Sequence, residues 1–334
     1  MDIKLPYLIF LADAADDLHA KTGFGVRDWR PDACVGQWKM EGCGAELGLT
    51  NMTAVEAVAQ GAGSLLIGVA PFGGRVQPNW IAPLVEALDA GLDIVSGMHS
   101  KLEDVPEIAE AAKRNGRALH NVRHATQSFS VANGQKRTGK RLLTVGTDCA
   151  LGKKYTALAL ARAMNESGRK ATFRATGQTG IMIAGGGIAI DAIVSDFIAG
   201  AAEWLTPDNA ADHWDMIEGQ GSLFHPAYAG VSLGLLHGSQ PDALILCHDP
   251  LRTQIDGYPG YPIVSLAEAI ETHIMLAKRV NAKAHFVGVA LNTSKLNDDQ
   301  RSAAFAKAEA ETGLPAFDPL LGPLDPVLAQ LENM

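Results

Sequence analysis

Hydrophobic and polar positions along this chain follow two periods that alternate. In the first half, short apolar runs at residues 7–11, 64–70, 93–96 and 118–122 read as strands. Between them, residues 53–60, 81–89 and 105–114 carry the spacing of amphipathic helices. The first of these opens with Thr53 and Glu56, the pattern of a capping box. Strands alternating with helices predict a parallel sheet. Residues 71–79 and 97–102 follow strands, so they are expected at its carboxyl edge, where open α/β sheets bind ligands.

The second half repeats the pattern more clearly. Residues 142–145, 171–175, 214–217, 243–247 and 284–291 read as strands, with a short one near 315–317. Residues 153–166, 188–202, 227–236, 266–280 and 298–311 read as helices. Residues 124–140 are polar and show no period. The expected organisation is a domain over 1–130, a linker over 131–140 and a second domain over 141–334. The fold class is α/β, a Rossmann-like parallel sheet followed by a P-loop NTPase-like doubly wound domain.

Composition narrows the function. The chain has 334 residues, 47% hydrophobic and 19% charged, enough to bury two cores. A net charge of −9 argues against a general nucleic-acid binder, which needs a basic face. Cys34, Cys43, Cys149 and Cys247 show no zinc or dithiol spacing. No secretion signal or membrane-length apolar run is visible, so a reduced, cytoplasmic protein working on small molecules is expected. The Ala/Gly-rich stretch 188–205 would suit either a dimer interface or packing on its own sheet, and a homodimer is the expected form of any self-association.

The chemistry concentrates at Gly146, Thr147, Asp148, Cys149, Ala150, Leu151, Gly152, Lys153, Lys154 and Tyr155. A strand precedes this glycine loop and a helix follows it. Its backbone N–H groups, the helix N-terminus and Lys153 make a phosphate cradle. Lys154 stands where a nucleotide triphosphatase carries Ser or Thr to hold magnesium. Thr156 lies two residues on, about 200° around the helix, and cannot substitute. Asp148 and Glu218 could still hold a metal, so ATP with magnesium is disfavoured and a pyrophosphate without metal chemistry is preferred. Coenzyme A carries a pyrophosphate and a ribose phosphate, which two adjacent lysines suit.

Five residues separate Gly146 from Gly152, and the loop opens Gly146-Thr147-Asp148. Gln178-Thr179-Gly180 and Glu218-Gly219-Gln220-Gly221-Ser222 follow strands, and Asn292 ends one. In these features the second half resembles dethiobiotin synthetase, which implies that Gln178 and Asn292 face a nucleotide, Asn292 near its base. Over nearly its whole length the chain resembles the D-glutamate (D-amino acid) N-acetyltransferase family. The resemblance rests on GTDCALGKK at 146–154, IEGQGSLFHP at 217–226 and SGMHSKL at 96–102. It implies acetyl-CoA as co-substrate and a D-amino acid, foremost D-glutamate, as acceptor.

Acetyl transfer to an amine needs a base, donors for the carbonyl oxygen and partners for the acceptor carboxylates. Glu218, His99 and His225 are the catalytic candidates. Asp13, Gly73, Gly74, Arg75, Ser100 and Lys101, all on post-strand loops of the first half, are the acceptor-side candidates. No metal site is expected. Two other functions fit parts of the pattern. An ATP-dependent ligase or kinase explains the second half but neither Lys154 nor the first domain. A nucleotide- or CoA-binding regulatory protein would need only one site.

Overall fold

The computed structural model describes residues 3–69, 73–125, 127–332 and 334. Ala70, which ends one expected strand, and residues 71 and 72 of the following loop lie outside the described residues. The chain divides into two compact units. One comprises Met1–Thr126 with Gln178–Ala189, and the other Gln127–Gly177 with Ile190–Met334.

The first unit is a five-stranded parallel sheet. Its strands are β1 (Tyr7–Ala12), β2 (Cys34–Lys39), β3 (Ser64–Ile67), β4 (Asp93–Ser96) and β5 (Leu119–Asn121), in the order β2-β1-β3-β4-β5. Every residue of β1, β3 and β4 is buried, as continuous apolar runs covered on both faces should be. The chain leaves β1 first to β2 on one side and then to β3 on the other. The carboxyl ends of β1 and β3 therefore flank the switch point where such sheets bind ligands. The helices Ala54–Ala59, Ile81–Ala90 and Pro106–Asn115 lie where the pattern predicts them. The Thr53–Glu56 capping box forms in both directions, at 3.3 and 2.8 Å.

Two elements of this unit escape the pattern. Lys21–Trp29 is helical although it contains Gly23 and Gly25. A side chain at Gly23 would come within 3.1 Å of Ile9, and the Gly23 N–H donates to Gly68 O at 2.8 Å, so close backbone packing outweighs poor helix propensity there. The strand β2 is an edge whose only full partner, β1, lies far back in sequence.

The second unit is a six-stranded parallel sheet. Its strands are β6 (Lys140–Gly146), β7 (Ala171–Arg174), β8 (Trp214–Ile217), β9 (Ala243–His248), β10 (His285–Leu291) and β11 (Ala316–Phe317), in the order β11-β10-β9-β6-β8-β7. Its core joins Leu142, Leu160, Met164, Met216, Ile245 and Val287. The helix Lys153–Glu166 coincides with the expected one. Residues 133–138, expected within a linker, are fastened along this unit. Asn133 and Gly134 N–H donate to Glu203, and Thr138 N–H donates to Asp208.

The single helix expected at 188–202 is not formed. Helices instead span Gln178–Ala184 and Ile198–Leu205, with short 3-10 turns at Ile190–Ala192 and Ser195–Phe197. Val194 is extended at φ −57°, ψ 135°, which interrupts the apolar repeat. The small residues that suggested a dimer face have a closer use. A side chain at Gly238 would lie 2.1 Å from Ala199 O, and one at Gly234 would lie 2.5 Å from Ile198. The helices Ile198–Leu205 and Ala229–Ser239 therefore pack on each other almost backbone to backbone. A final helix, Asp325–Glu332, also lies outside the predicted pattern and buries Val327 and Leu331.

Candidate active site

In the second unit, β6 delivers the chain into the glycine loop at the point where neighbouring strands diverge, with β8 on one side and β9 on the other. Ala150 (φ 55°) and Gly152 (φ 98°) adopt left-handed conformations. Such alternation turns successive N–H groups toward one concavity. Gly152 begins the helix without a side-chain cap, so its first-turn N–H groups have no side-chain partner. Lys153 is buried and donates from Nζ to Asp148 O at 2.8 Å, and burial pulls its pKa down. An anion in the loop would relieve that burial of an ammonium.

The residues around Lys153 leave it little choice of position. Thr144 Oγ1 sits within hydrogen-bond distance of Lys153 O (3.1 Å) and Ile217 O (3.3 Å) and accepts from Gly219 N–H at 2.9 Å. A Cβ at Gly219 would fall 1.7 Å from Thr144 O, so only glycine lets this crossing happen. Ser222 Oγ closes the other side by donating to Gly146 O at 3.0 Å. Thr147 N–H donates to Cys247 O, and its hydroxyl lies 3.0 Å from His248 Nδ1.

Asp148 is fully buried, and its carboxylate is already engaged. Oδ1 accepts from Cys149 N–H, while Oδ2 accepts from Arg252 Nη1 and Asp256 N–H, both at 2.8 Å. Arg252 also donates to Cys149 O at 2.8 Å. The side chain thus shapes the loop, and its backbone is what faces a ligand. Arg252 and Asp256 were not legible in the sequence, because they lie 104 and 108 residues from Asp148 and belong to no motif around it.

Two observations bear on the position after Lys153. Lys154 is half-buried, its Nζ 4.4 Å from the Tyr155 ring centre, and burial lowers its pKa against the opposing pull of Glu218. Thr156 is buried and donates to Gly152 O at 3.1 Å, with Cys247 Sγ 3.5 Å from the same hydroxyl. Its oxygen is therefore held inside the helix, away from the loop's mouth.

Glu218 follows β8 beside the loop. It is 4% exposed, and its Oε2 accepts from Thr176 N–H at 2.9 Å and Gly177 N–H at 3.1 Å. Burial raises its pKa to about 7, against the lowering effect of those N–H bonds and of Lys154. A carboxyl poised near neutrality is suited to accept a proton during turnover.

One ligand-capable atom each of Asp148, Cys149 and His225 lies within 4.8 Å of the others. The donor set does not favour a cation. Asp148 already accepts three N–H bonds, one of them from the Arg252 guanidinium, and burial pushes the Cys149 thiol above its usual range. His225 Nδ1 accepts from Ala227 N–H at 3.1 Å, which leaves the ring proton on Nε2. With Nδ1 so engaged, Nε2 is the nitrogen left to donate. His273, lowered to about 4 by burial, lines a small cavity with Gly146 and Gly219–Ser222.

The remaining candidates fall elsewhere. Gln178 opens the helix that groups with the first unit, where its Cβ and Cγ lie 3.0–3.1 Å from a side chain built at Gly97. Asn292 Oδ1 accepts from Ser294 Oγ at 2.8 Å and Ser294 N–H at 3.3 Å, a local turn. In the first unit, Asp13 holds Trp80 Nε1 (2.7 Å) and Asn79 Nδ2 (2.8 Å), bonds that lower its pKa. Gly73 (φ 81°) and Gly74 (φ 59°) are left-handed, and Gly74 O accepts from His99 N–H at 2.9 Å and Ser100 N–H at 3.2 Å. That pairing brings Arg75, His99, Ser100 and Lys101 to one carboxyl edge, with Arg75, His99 and Lys101 exposed. The second unit thus brings a glycine loop and a buried lysine together with a buried carboxyl, and the first unit sets exposed cations on one carboxyl edge.

Known proteins share both units. A family model described as the DUF1611 C-terminal P-loop domain matches residues 130–328. A second, the DUF1611 N-terminal Rossmann-like domain, matches residues 32–125. A curated relative from Tritonibacter scottomollicae named D-glutamate N-acetyltransferase is 53% identical over 317 residues, 95% of either chain. A Pseudoalteromonas relative of the same name is 45% identical over 331 residues, covering 99% of this chain and 100% of its own. The crystal structure of a DUF1611 family protein from Anabaena variabilis matches with a TM-score of 0.87 at 32% identity, covering 99% of this chain and 100% of that one. On these matches, this chain belongs to the DUF1611 family, a Rossmann-like domain joined to a P-loop domain.

Proposed function

We propose that this protein transfers the acetyl group of acetyl-CoA to the amino group of D-glutamate. The observation that carries the proposal is the loop itself. It offers converging N–H groups and two lysines, while the hydroxyl that would hold magnesium is replaced by Lys154 and the nearest one, on Thr156, is bonded inside the helix. Such a cradle suits a pyrophosphate bound by protein charge. The two D-glutamate N-acetyltransferases related over nearly the full chain support the acyl transfer and the acceptor.

Each group then has a task. Lys153 and the loop N–H groups hold the donor's phosphates, and Lys154 adds a second charge beside them. Acetyl-CoA supplies the activated acyl carbon. The acceptor ammonium must lose a proton before its nitrogen can attack, and Glu218, with a pKa of about 7, takes it. As the C–N bond forms the C–S bond breaks, and the second proton shed by the attacking nitrogen goes to the sulfur, so the coenzyme leaves as a thiol. The Nε2–H of His225 is the donor suited to the carbonyl oxygen. Arg75 and Lys101 are exposed cations suited to the two acceptor carboxylates, with the glycine-rich turn at 73–74 and Ser100 beside them. His99 on the same edge is the alternative base.

The test is free-thiol release from acetyl-CoA with a panel of D- and L-amino acids. Release with D-glutamate, and much slower release with L-glutamate, is the expected result. No thiol with any acceptor, together with ADP formation from ATP, would sink the proposal.

A further inference from the structure

The segment Asp256-Gly-Tyr-Pro-Gly-Tyr-Pro262 follows β9, and only its first N–H group, that of Asp256, serves the Asp148 carboxylate. The chain contains five tyrosines, and two of them stand in this one heptapeptide. The segment is fixed at both ends of its turn. Ile255 N–H donates to Tyr261 O at 2.8 Å, Tyr258 N–H to Ile255 O at 3.0 Å, and Ile263 N–H to Thr253 O at 3.0 Å. Gly257 (φ 76°) and Gly260 (φ 89°) supply the left-handed turns that this path needs. Asp256 N–H and Arg252 tie it to Asp148 inside the phosphate loop.

These constraints hold a row of rings beside the loop. His225, within 4.8 Å of loop ligand atoms, stacks on Tyr228 at 4.4 Å between centres and 27° between planes. Tyr258 meets His225 edge-on at 4.9 Å, and Tyr261 meets Tyr258 at 6.0 Å. Ile255, itself buried, is bonded through its backbone to both Tyr258 and Tyr261, yet Tyr228 is 51% and Tyr261 52% exposed. Two large, preorganised aromatic faces left open next to a phosphate cradle are matched to a flat, π-rich ligand. A flexible amide chain finds fewer donors there, because the N–H groups of Asp256, Tyr258 and Tyr261 are already given to Asp148, Ile255 and Tyr258.

We infer that the Tyr228–Tyr258–Tyr261 shelf seats the purine base of a nucleotide-type donor whose phosphates lie in the Gly146–Lys153 loop. The inference rests on the donor reading above and adds the site that distinguishes coenzyme A from its base-free fragment. It also gives the base a place other than Asn292, whose side-chain oxygen is committed to Ser294.

The experiment is calorimetric titration of coenzyme A and of 4′-phosphopantetheine, which lacks the base, into wild type and into Tyr228→Ala, Tyr261→Ala, Tyr228→Phe and Tyr261→Phe. Wild type should prefer coenzyme A. Each alanine variant should shrink that preference by about 5- to 100-fold, the range of one lost base–aromatic stack. Each phenylalanine variant, which keeps the ring, should restore it. An unchanged preference in both alanine variants overturns the inference, as does equal weakening of both ligands. Wild type that binds no coenzyme A at all overturns the donor reading, and the shelf assignment with it.

Discussion

Glu218→Gln tests whether the buried carboxyl beside the phosphate loop is held as a proton acceptor. Burial moves its pKa from 4.5 to about 7. Below the lower value the carboxyl is protonated in the folded and the unfolded chain alike. Between the two values only the folded chain keeps the proton, so stability falls as pH rises, and above about 7 the whole penalty is present. A rise of this size corresponds to about 3 kcal/mol, with the attraction of Lys154 already included. Glutamine keeps an acceptor for the Thr176 and Gly177 N–H groups but never ionises. The variant should therefore be more stable than wild type by up to about 3 kcal/mol at pH 8 and by under about 1 kcal/mol at pH 5. For a unit of this size that is roughly 6–12 °C in Tm at the higher pH. The same substitution should lower kcat by about 10²- to 10⁴-fold, the usual contribution of a general base. Wild-type kcat/KM should rise with pH through about 7. Thermal unfolding at the two pH values reads the first effect and initial rates read the second. A stability difference that does not change between them would refute the reasoning, whatever happened to activity.

Three further outcomes follow from the same geometry. Lys153→Ala should weaken coenzyme A binding by about 100-fold or more by titration, while leaving D-glutamate binding far less affected, because it removes a charge from the phosphate cradle alone. Arg252→Met should cost about 3 kcal/mol in chemical denaturation, since it strips the guanidinium from the buried Asp148 carboxylate. Gly219→Ala should destabilise by more than about 4 kcal/mol, because its Cβ would sit 1.7 Å from Thr144 O; unfolding at the wild-type denaturant midpoint would contradict the crossing described here.

What could be read from the sequence was local. The phosphate loop is one continuous strand–turn–helix, so its residue order carries its geometry, and the helix Lys153–Glu166 ends where the pattern ends. The Thr53–Glu56 cap is equally local. The exceptions all depend on distant partners. Gly23 weakens a helix by propensity and permits it in space, because Ile9 and Gly68 press against its face. The continuous apolar repeat of 188–202 hides a break at Val194. At the site, residue order identifies Glu218 but not its elevated pKa, which comes from its burial in the folded unit. Asp148 reads as a metal or ligand contact, yet Arg252 and Asp256 take its carboxylate from more than a hundred residues away. The heptapeptide at 256–262 has the look of a plain turn until His225 and Tyr228 are seen beside it.

The most direct test of the central claim follows a ¹³C-labelled acetyl group by NMR. The protein is mixed with labelled acetyl-CoA and D-glutamate in excess EDTA. The account predicts that the label appears on the amine of D-glutamate at an undiminished rate, because loop N–H groups and lysines hold the pyrophosphate. Label remaining on the coenzyme, or transfer that begins only when magnesium is restored, would contradict it.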